Sequence, residues 1–286
     1  MILQHPPLQA GLYLVATPIG TAGDITLRAL DILTKADVIA AEDTRQTRKL
    51  LDIHGIHLNN RPLLPYHDHN GAAQRPRLTA MVRDGKSLAY VSDAGTPLIA
   101  DPGFKLAQTM ISEGLPVTSA PGASALLAAL SLSGLPTDRF LFAGFLPPKQ
   151  SARRTTLREL APVPATLIFF ESPNRLAAAL ADMLGELGDR PSAICRELTK
   201  KFEEIRRGSL QEICNTAAEM TLKGEFVVVI GPPERQVASP EAIDAFLVAA
   251  LKTLSVNDAA TNLSNKLCLP RKLLYARALE LKDDLK

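Results

Sequence analysis

Three loops of the sequence combine small residues and hydroxyls, two of them with a carboxylate, in a way that could bind a ligand. They span Thr17–Asp24, Ser92–Pro97 and Pro121–Ala125, and each follows an apolar run that predicts a β-strand. Ligands of open α/β sheets collect at the carboxyl ends of strands, so this placement predicts a binding site. Each loop alone is also what a simple turn requires, because turns favour Gly, Pro and Asp.

The chemistry of these loops suits a ligand that carries a carboxylate and hydroxyl groups. Backbone N–H groups where a helix begins can bind an anion, and the Asp93 carboxylate can accept hydrogen bonds from ribose hydroxyls. The first loop, TPIGTAGD, does not have the G-x-G-x-x-G spacing. A nicotinamide or flavin fingerprint is therefore not met.

Alternating strand and helix patterns predict the elements that position these loops. Between Gly11 and Ala120, apolar β-type runs alternate with helical periodicity, which predicts a mainly parallel, helix-covered sheet. The next part predicts a second α/β lobe with a mixed sheet, and the turn-rich GPPERQVASP precedes a small helical appendage. The predicted divisions are residues 1–120, 121–235 and 236–286. The predicted strands are GLYLVATPI, DVIAAED, RPLLPYH, SLAYVSD and LPVTSA in the first lobe, and RFLFAGFL, TLIFFES, PSAICREL, FEEIRRGS and GEFVVVIG in the second.

Composition excludes several classes of protein. The chain has 286 residues, of which 46% are hydrophobic and 22% charged, so it is too apolar to be disordered and long enough for two lobes. It contains no apolar run of about 20 residues and no signal-like start, which predicts a soluble cytoplasmic protein without a membrane partner. Its three cysteines form no CxxC pair, and His67-Asp68-His69 lacks a clear third ligand. We therefore expect neither disulfides nor a metal site.

Two basic clusters raise the question of nucleic-acid binding although the net charge is only +2. The first cluster follows the FLPP turn and includes Lys149, Arg153 and Arg154, and the second lies around Lys201. Such clusters can neutralise RNA phosphates, and a solvated helix face is the alternative interpretation. The C-terminal segment is also basic, and its role stays open between contacting RNA and covering a lobe.

Several motifs together resemble one known family. VATPIG with GDIT, VSDAGTPLIADPG, SAPGASA, FAGFLPPK, IFFESPNRL, RELTKKFEE and GEFVVVIGP are similar to the tetrapyrrole methylase superfamily over about residues 11–232. The combination of SDAGTP, FLPPK and RELTKKFEE resembles its small-subunit (16S) ribosomal RNA cytidine-2′-O-methyltransferase branch. The resemblance implies a two-lobed, class III methyltransferase fold and a homodimer. It also implies S-adenosylmethionine as cofactor and a cytidine ribose in the decoding region, within the ribosomal particle, as substrate.

The resemblance also carries site residues onto this sequence. It places cofactor contacts at Pro18, Ser92, Asp93, Ala94, Ser124, Ala125, Phe170 and Phe226. A ribose hydroxyl is a poor nucleophile, so a base or a stabilising cation would help methyl transfer. Glu171 and Lys200 are the candidates for these roles, with a helix cap and a solvated lysine as alternatives. Small neutral residues near the reacting centre are expected, because the sulfonium loses its charge during transfer.

Two other functions compete with this interpretation. A methylase of a porphyrin or corrin ring would use the same cleft but would need a broad apolar trough, whereas this chain has no Trp and places Lys and Arg beside the cleft motifs. A non-catalytic RNA-binding assembly factor would retain the lobes without turnover. The intact cofactor loops favour an enzyme.

Overall fold

The computed structural model describes residues 7–67, 69–100, 102–217, 223–234, 240–267 and 269–284. The chain divides into two compact units, Met1–Pro233 and Glu234–Lys286. The described part of the first unit contains two five-stranded sheets. We call these sheets, each with its helices, the first and the second lobe.

The first lobe is a parallel sheet in the order β3-β2-β4-β1-β5, which confirms the predicted fold. The central strands β4 and β2 are buried along their whole length because helices cover both faces of the sheet. The carboxyl ends of all these strands meet at one edge. The strands are β1 Gly11–Val15, β2 Val38–Ala41, β3 Leu63–Pro65, β4 Ser87–Val91 and β5 Val117–Ala120.

Four helices and a short 3₁₀ turn at Ala22–Asp24 connect these strands. Leu33 of α1 and Leu51 of α2 pack with strand residues on one face of the sheet. Leu78 of α3 and Leu106 of α4 pack on the other face. The helices are α1 Leu27–Lys35, α2 Thr44–Ile53, α3 Gly71–Arg83 and α4 Phe104–Ser112.

The second lobe has the predicted mixed sheet, in the order β6-β7-β10-β8-β9. β6 runs parallel to β7, and the other neighbouring pairs are antiparallel. The strands are β6 Phe140–Phe145, β7 Thr166–Glu171, β8 Pro191–Arg196, β9 Glu204–Ser209 and β10 Phe226–Ile230. The helices are α5 Ala125–Ser133, α6 Gln150–Leu160, α7 Pro173–Leu187 and α8 Leu210–Thr216.

The loop after β1 joins the hydrophobic core of the second lobe. Ile19 packs in one cluster with Leu126 and Leu130 of α5 and with strand residues of the second sheet. The same loop is held through Thr21, whose backbone amide and hydroxyl donate to the hydroxyl and carbonyl oxygens of Thr199 in the β8–β9 loop. These contacts fix the carboxyl edge of the first sheet against the second lobe.

The described part of the unit Glu234–Lys286 contains three helices, which matches the predicted helical appendage. They pack around Leu247, Leu263 and Leu274. The helices are α9 Pro240–Leu251, α10 Val256–Leu267 and α11 Arg271–Asp284. In the described part of the chain, no helix is long and apolar enough to cross a membrane.

The structure shows the surroundings of two cysteines, Cys195 and Cys214. Burial raises the pKa of the Cys195 thiol to about 11 and also raises the pKa of Cys214, so neither is an activated nucleophile. Asp68 and Cys268 lie outside the described residues. Within the described residues, no group of three His, Cys, Asp or Glu side chains could hold a metal ion.

Candidate cofactor and substrate cavities

A cavity of about 370 Å³ opens between the two lobes. This volume lies in the range of small-molecule sites. Seven of the residues singled out in the sequence line it: Asp93, Ala94, Ser124, Ala125, Phe170, Glu171 and Phe226. The first cavity therefore brings together residues that lie up to 133 positions apart in the chain.

The loop after β4 forms the wall that the first lobe contributes. Thr17 and Gly95 exchange backbone hydrogen bonds of 2.9 and 3.0 Å, and the Ser92 hydroxyl donates to the Gly95 carbonyl at 3.2 Å. Gly95 adopts a φ of +79°, a conformation that favours glycine. Ala94 and Gly95 line the cavity with little side-chain bulk, so a ligand can approach the backbone closely. This agrees with the expectation of small neutral residues.

Asp93 lies in a group of acidic side chains. Its Oδ1 accepts a hydrogen bond from the Asp43 amide at 3.0 Å, and its own amide donates to Glu42 at 3.4 Å. Partial removal from water raises the pKa of Asp93 and the negative charge of Asp43 adds to the rise, whereas the Asp43 amide opposes it. Asp43 itself stays ionised, because hydrogen bonds from Arg45 lower its pKa to about 2.

Aromatic side chains form the wall that the second lobe contributes. The Phe142 and Phe145 rings meet the Phe170 ring edge to face, with centroids 4.8 and 5.7 Å away. Phe226 borders the cavity from the β7–β10 ladder, opposite Glu171, but its ring is buried in the core with Phe169 and is not part of this wall. Such a surface suits a flat heteroaromatic ring. Phe145 was not among the residues singled out in the sequence, although the FAGFLPPK motif contains it.

Glu171 is only 2% exposed and has one unsatisfied oxygen. Its Oε1 accepts from the Ser172 amide at 2.8 Å and lies 3.3 Å from Nε of Arg175. Oε2 has no hydrogen-bond partner among the described residues. A buried carboxylate oxygen without a partner is costly, which marks Glu171 as a candidate for a functional role at the cavity that it lines. Arg175 is held in turn by the Leu146 carbonyl.

Lys200 does not line the cavity. Its ammonium donates to Glu197 and to Glu225, at 2.9 Å each, and Glu225 is the residue that lines the cavity. Burial alone would lower the pKa of Lys200, but the hydrogen bonds and charges of the two glutamates raise it overall. Lys200 is therefore a protonated side chain that supports Glu225, and it is unsuited to act as a general base.

The structure places Arg153 away from an RNA surface. Arg153 is 5% exposed, and its Nη2 and Nε lie 2.6 and 2.7 Å from Oδ2 of Asp182 on α7. Its Nη1 donates to the Pro148 carbonyl at 3.2 Å. The basic run after FLPP thus contains an internal ion pair that ties α6 and the turn to α7. The expectation that Arg153 contacts phosphate is corrected by this burial.

The remaining basic residues of the two clusters differ in their surroundings. Arg154 is exposed and paired with Glu186. Lys149 is exposed at the N-terminus of α6, and the ammonium of exposed Lys201 lies 5.6 Å from the centroid of the Phe202 ring. Lys149 and Lys201 remain open to a polyanion.

A second cavity, of about 190 Å³, adjoins the first. Pro18 and Ser92, both expected to contact the cofactor, line this second cavity, and Asp93 lines both. The structure therefore divides the expected cofactor residues between two neighbouring cavities.

Comparison with protein families agrees with this architecture. Residues 11–214 match the model of the Tetrapyrrole (Corrin/Porphyrin) Methylases. The chain belongs to this family. Residues 237–282 match a second model, the RsmI C-terminal HTH domain. This match lies within the helical unit Glu234–Lys286.

Curated relatives are similar over nearly their whole length. The chain is 50% identical to the ribosomal RNA small subunit methyltransferase I of Mesorhizobium japonicum, which covers 97% of this chain and 94% of the relative. It is 42% identical to the protein of the same description in Escherichia coli O157:H7, over 95% and 96%. Within the tetrapyrrole methylases, the chain therefore groups with the small-subunit ribosomal RNA methyltransferases I.

Solved structures share the fold at low sequence identity. A cobalt precorrin-4 methyltransferase has a TM-score of 0.57 at 18% identity and covers 77% of this chain and 94% of its own. A uroporphyrin-III C-methyltransferase of Thermus thermophilus, complexed with S-adenosyl homocysteine, has a TM-score of 0.53 at 22% identity, over 77% and 97%. These structural similarities show that the chain shares its fold with the two methyltransferases.

Proposed function

We propose that the protein transfers a methyl group from S-adenosylmethionine to small-subunit ribosomal RNA, at the 2′-oxygen of a cytidine ribose in the decoding region. The observation that carries this proposal is the 50% identity over 94% of a ribosomal RNA small subunit methyltransferase I. The inter-lobe cavity supplies a site of suitable chemistry. The protein is proposed to work in the cytoplasm, and the divisions at residues 120 and 235 remain our proposed lobe boundaries.

The donor groups of the first cavity fit S-adenosylmethionine. The aromatic pair Phe145 and Phe170 would hold the adenine, with the buried Phe226 bordering the site, and Asp93 would accept hydrogen bonds from the ribose or the amino group. Backbone groups near Ala94 and Ser124 would hold the remaining polar atoms, and we keep Ala125, Pro18 and Ser92 in the proposed contact set. When bound, the cofactor supplies an electrophilic methyl group.

The cavity residues would prepare the acceptor hydroxyl. We assign Glu171 the role of proton acceptor, because its Oε2 is the buried carboxylate oxygen left without a partner at the cavity. Oε2 would take the proton of the 2′-hydroxyl, and the bound cofactor would supply the methyl group to that oxygen. Arg175 orients the carboxylate through Oε1. Lys200 contributes indirectly by fixing Glu225.

Phosphate contacts of the second lobe are assigned to its exposed cations. Lys149 and Lys201 are accessible, and Arg154 contributes less because Glu186 already neutralises it. For RNA within a ribosomal particle, shape and backbone contacts count for more than base edges.

The cofactor role of Asp93 predicts a selective loss. Asp93→Ala is expected to weaken S-adenosylmethionine binding about 10- to 100-fold, since a hydrogen bond to a charged group is worth roughly 1.5–3 kcal/mol. Isothermal titration calorimetry measures this effect. The control is Asp84→Ala, which removes an exposed carboxylate at the opposite edge of the sheet, where α3 ends. An unchanged dissociation constant for Asp93→Ala would remove this residue from the site.

We also propose that the protein is a homodimer. β6 is an outer strand of the second sheet and leaves Phe140 and Leu141 exposed, and such edges tend to be covered by another chain. Sedimentation equilibrium at micromolar concentration should give twice the mass of the chain, and Phe140→Glu should shift the mass toward one chain. A wild-type monomer would contradict the proposal.

Methyl incorporation tests the function. The enzyme, tritiated S-adenosylmethionine and small ribosomal subunits from a strain lacking the gene should yield labelled RNA. Alkaline hydrolysis should leave the label in dinucleotides, because a 2′-O-methyl group blocks cleavage there. Label in a porphyrin substrate and none in RNA would favour a tetrapyrrole methylase. Stable subunit binding without label in either substrate would favour an assembly factor.

A further inference from the structure

The second cavity lies at the carboxyl edge of the first sheet, beside the proposed cofactor site. The loops after β1 and β4 and the helix α2 line it, and Asp93 forms a wall common to both cavities. Its volume of about 190 Å³ is below the range of roughly 300–1,000 Å³ that is typical of small-molecule sites. It is therefore suited to part of a polymer and is too small for a large macrocycle.

One face of α2 forms a side of this cavity. Gln46, Lys49, Leu50 and Ile53 line it, and they follow the three- and four-residue steps of a single helix face. Leu51, on another face, packs into the core of the first lobe. Ile53 is 56% exposed although it is apolar. The cavity thus combines one ammonium group, one amide and an apolar contact surface.

The positive charge at this cavity is not neutralised. Neither Lys49 nor its exposed neighbour Arg48 has an acidic partner among the residues that the structure describes. Arg45, one turn earlier, is paired with Asp43. In the basic run after FLPP, Arg153 and Arg154 are likewise paired with acids. α2 therefore offers free charge to a polyanion next to the proposed cofactor site.

We propose that the second cavity binds the sugar-phosphate backbone of RNA beside the nucleotide to be methylated, with Lys49 contacting a phosphate. The proposal rests on the proposed function, since it names where that substrate lies. Gln46 can donate hydrogen bonds to phosphate or sugar oxygens, and Ile53 can pack against the sugar. Because Asp93 separates the two cavities, a backbone held here brings the adjoining ribose to the edge of the first cavity.

The test measures binding of small ribosomal subunits by filter retention at several salt concentrations, with S-adenosyl homocysteine present so that no turnover occurs. Lys49→Ala should weaken binding about 3- to 10-fold and make the slope of log K against log salt shallower by about 0.7–0.9. Lys49→Arg should retain most of the affinity and the slope. Lys86→Ala is the matched control, because Lys86 is an exposed lysine just before β4, at the opposite edge of the sheet. Cofactor affinity of Lys49→Ala, measured by calorimetry, should equal that of wild type.

The outcomes separate this inference from the proposed function. Wild-type affinity and slope in Lys49→Ala would overturn the inference, as would a matching loss of cofactor affinity, which would make Lys49 a cofactor contact. Competition by inorganic phosphate at matched ionic strength would also overturn it, in favour of a free-phosphate site. Methyl incorporation by wild type is scored independently. Its absence would overturn the proposed function, while the binding data would still decide whether Lys49 contacts RNA.

Discussion

Replacing Glu171 with glutamine is expected to lower kcat about 10²- to 10⁴-fold, the range typical of removing a general base. Glutamine keeps an oxygen that can accept from the Ser172 amide, so the end of β7 should fold as in wild type. Cofactor affinity should change little. The measurement is the single-turnover rate of methyl transfer to small ribosomal subunits as a function of pH.

The pH profile distinguishes a base from a structural carboxylate. With Glu171 as proton acceptor, the wild-type rate should show an acid limb in its pH profile, and Glu171→Gln should lack this limb. Glu225→Gln provides a comparison, since Glu225 lines the same cavity but is ion-paired with Lys200. We expect a smaller loss there. A Glu171→Gln enzyme that retains more than a tenth of the wild-type rate with the same acid limb would refute the assignment.

The second large effect concerns stability. Asp182→Ala should lower the free energy of unfolding by about 3–5 kcal/mol, because it leaves the buried Arg153 guanidinium without its counter-ion. The chain contains no Trp, so urea unfolding is best followed by far-UV circular dichroism. Replacing the pair together, as Arg153→Met with Asp182→Leu, should restore most of the loss, since apolar pairs often substitute for buried ion pairs.

The stability of Asp182→Ala also tests whether Arg153 is buried and therefore unavailable to RNA. A loss below about 1 kcal/mol for Asp182→Ala would be the value expected of an exposed pair. Arg153 would then be solvent-accessible and would return to the set of RNA-contacting candidates.

Periodicity predicted the strands of both lobes and the helices of the first lobe because their burial follows regular patterns. The apolar runs VIAA and SLAYV predicted strands of a mainly parallel sheet, and the structure buries them at interior positions of that sheet. Strand ends also predicted the loop residues of the first cavity. This follows from topology, since every strand of a parallel sheet presents its carboxyl end at the same edge.

Residues whose surroundings depend on distant partners could not be predicted in this way. Arg153 belongs to a run that has the composition of a solvated face, and its partner Asp182 lies 29 positions away on another helix. Lys200 is held by Glu225, 25 positions away. The free charge on α2 was missed for the same reason, because pairing can be judged only once neighbours in space are known.

The central claim is that this protein methylates a cytidine ribose of small-subunit ribosomal RNA, and mapping 2′-O-methylation in cells that lack the gene tests it most directly. In these cells, one cytidine in the decoding region should lose its 2′-O-methyl group. The wild-type gene should restore the group, and the gene encoding Glu171→Gln should not. An unchanged methylation pattern in the deletion strain would show that this protein does not methylate that cytidine.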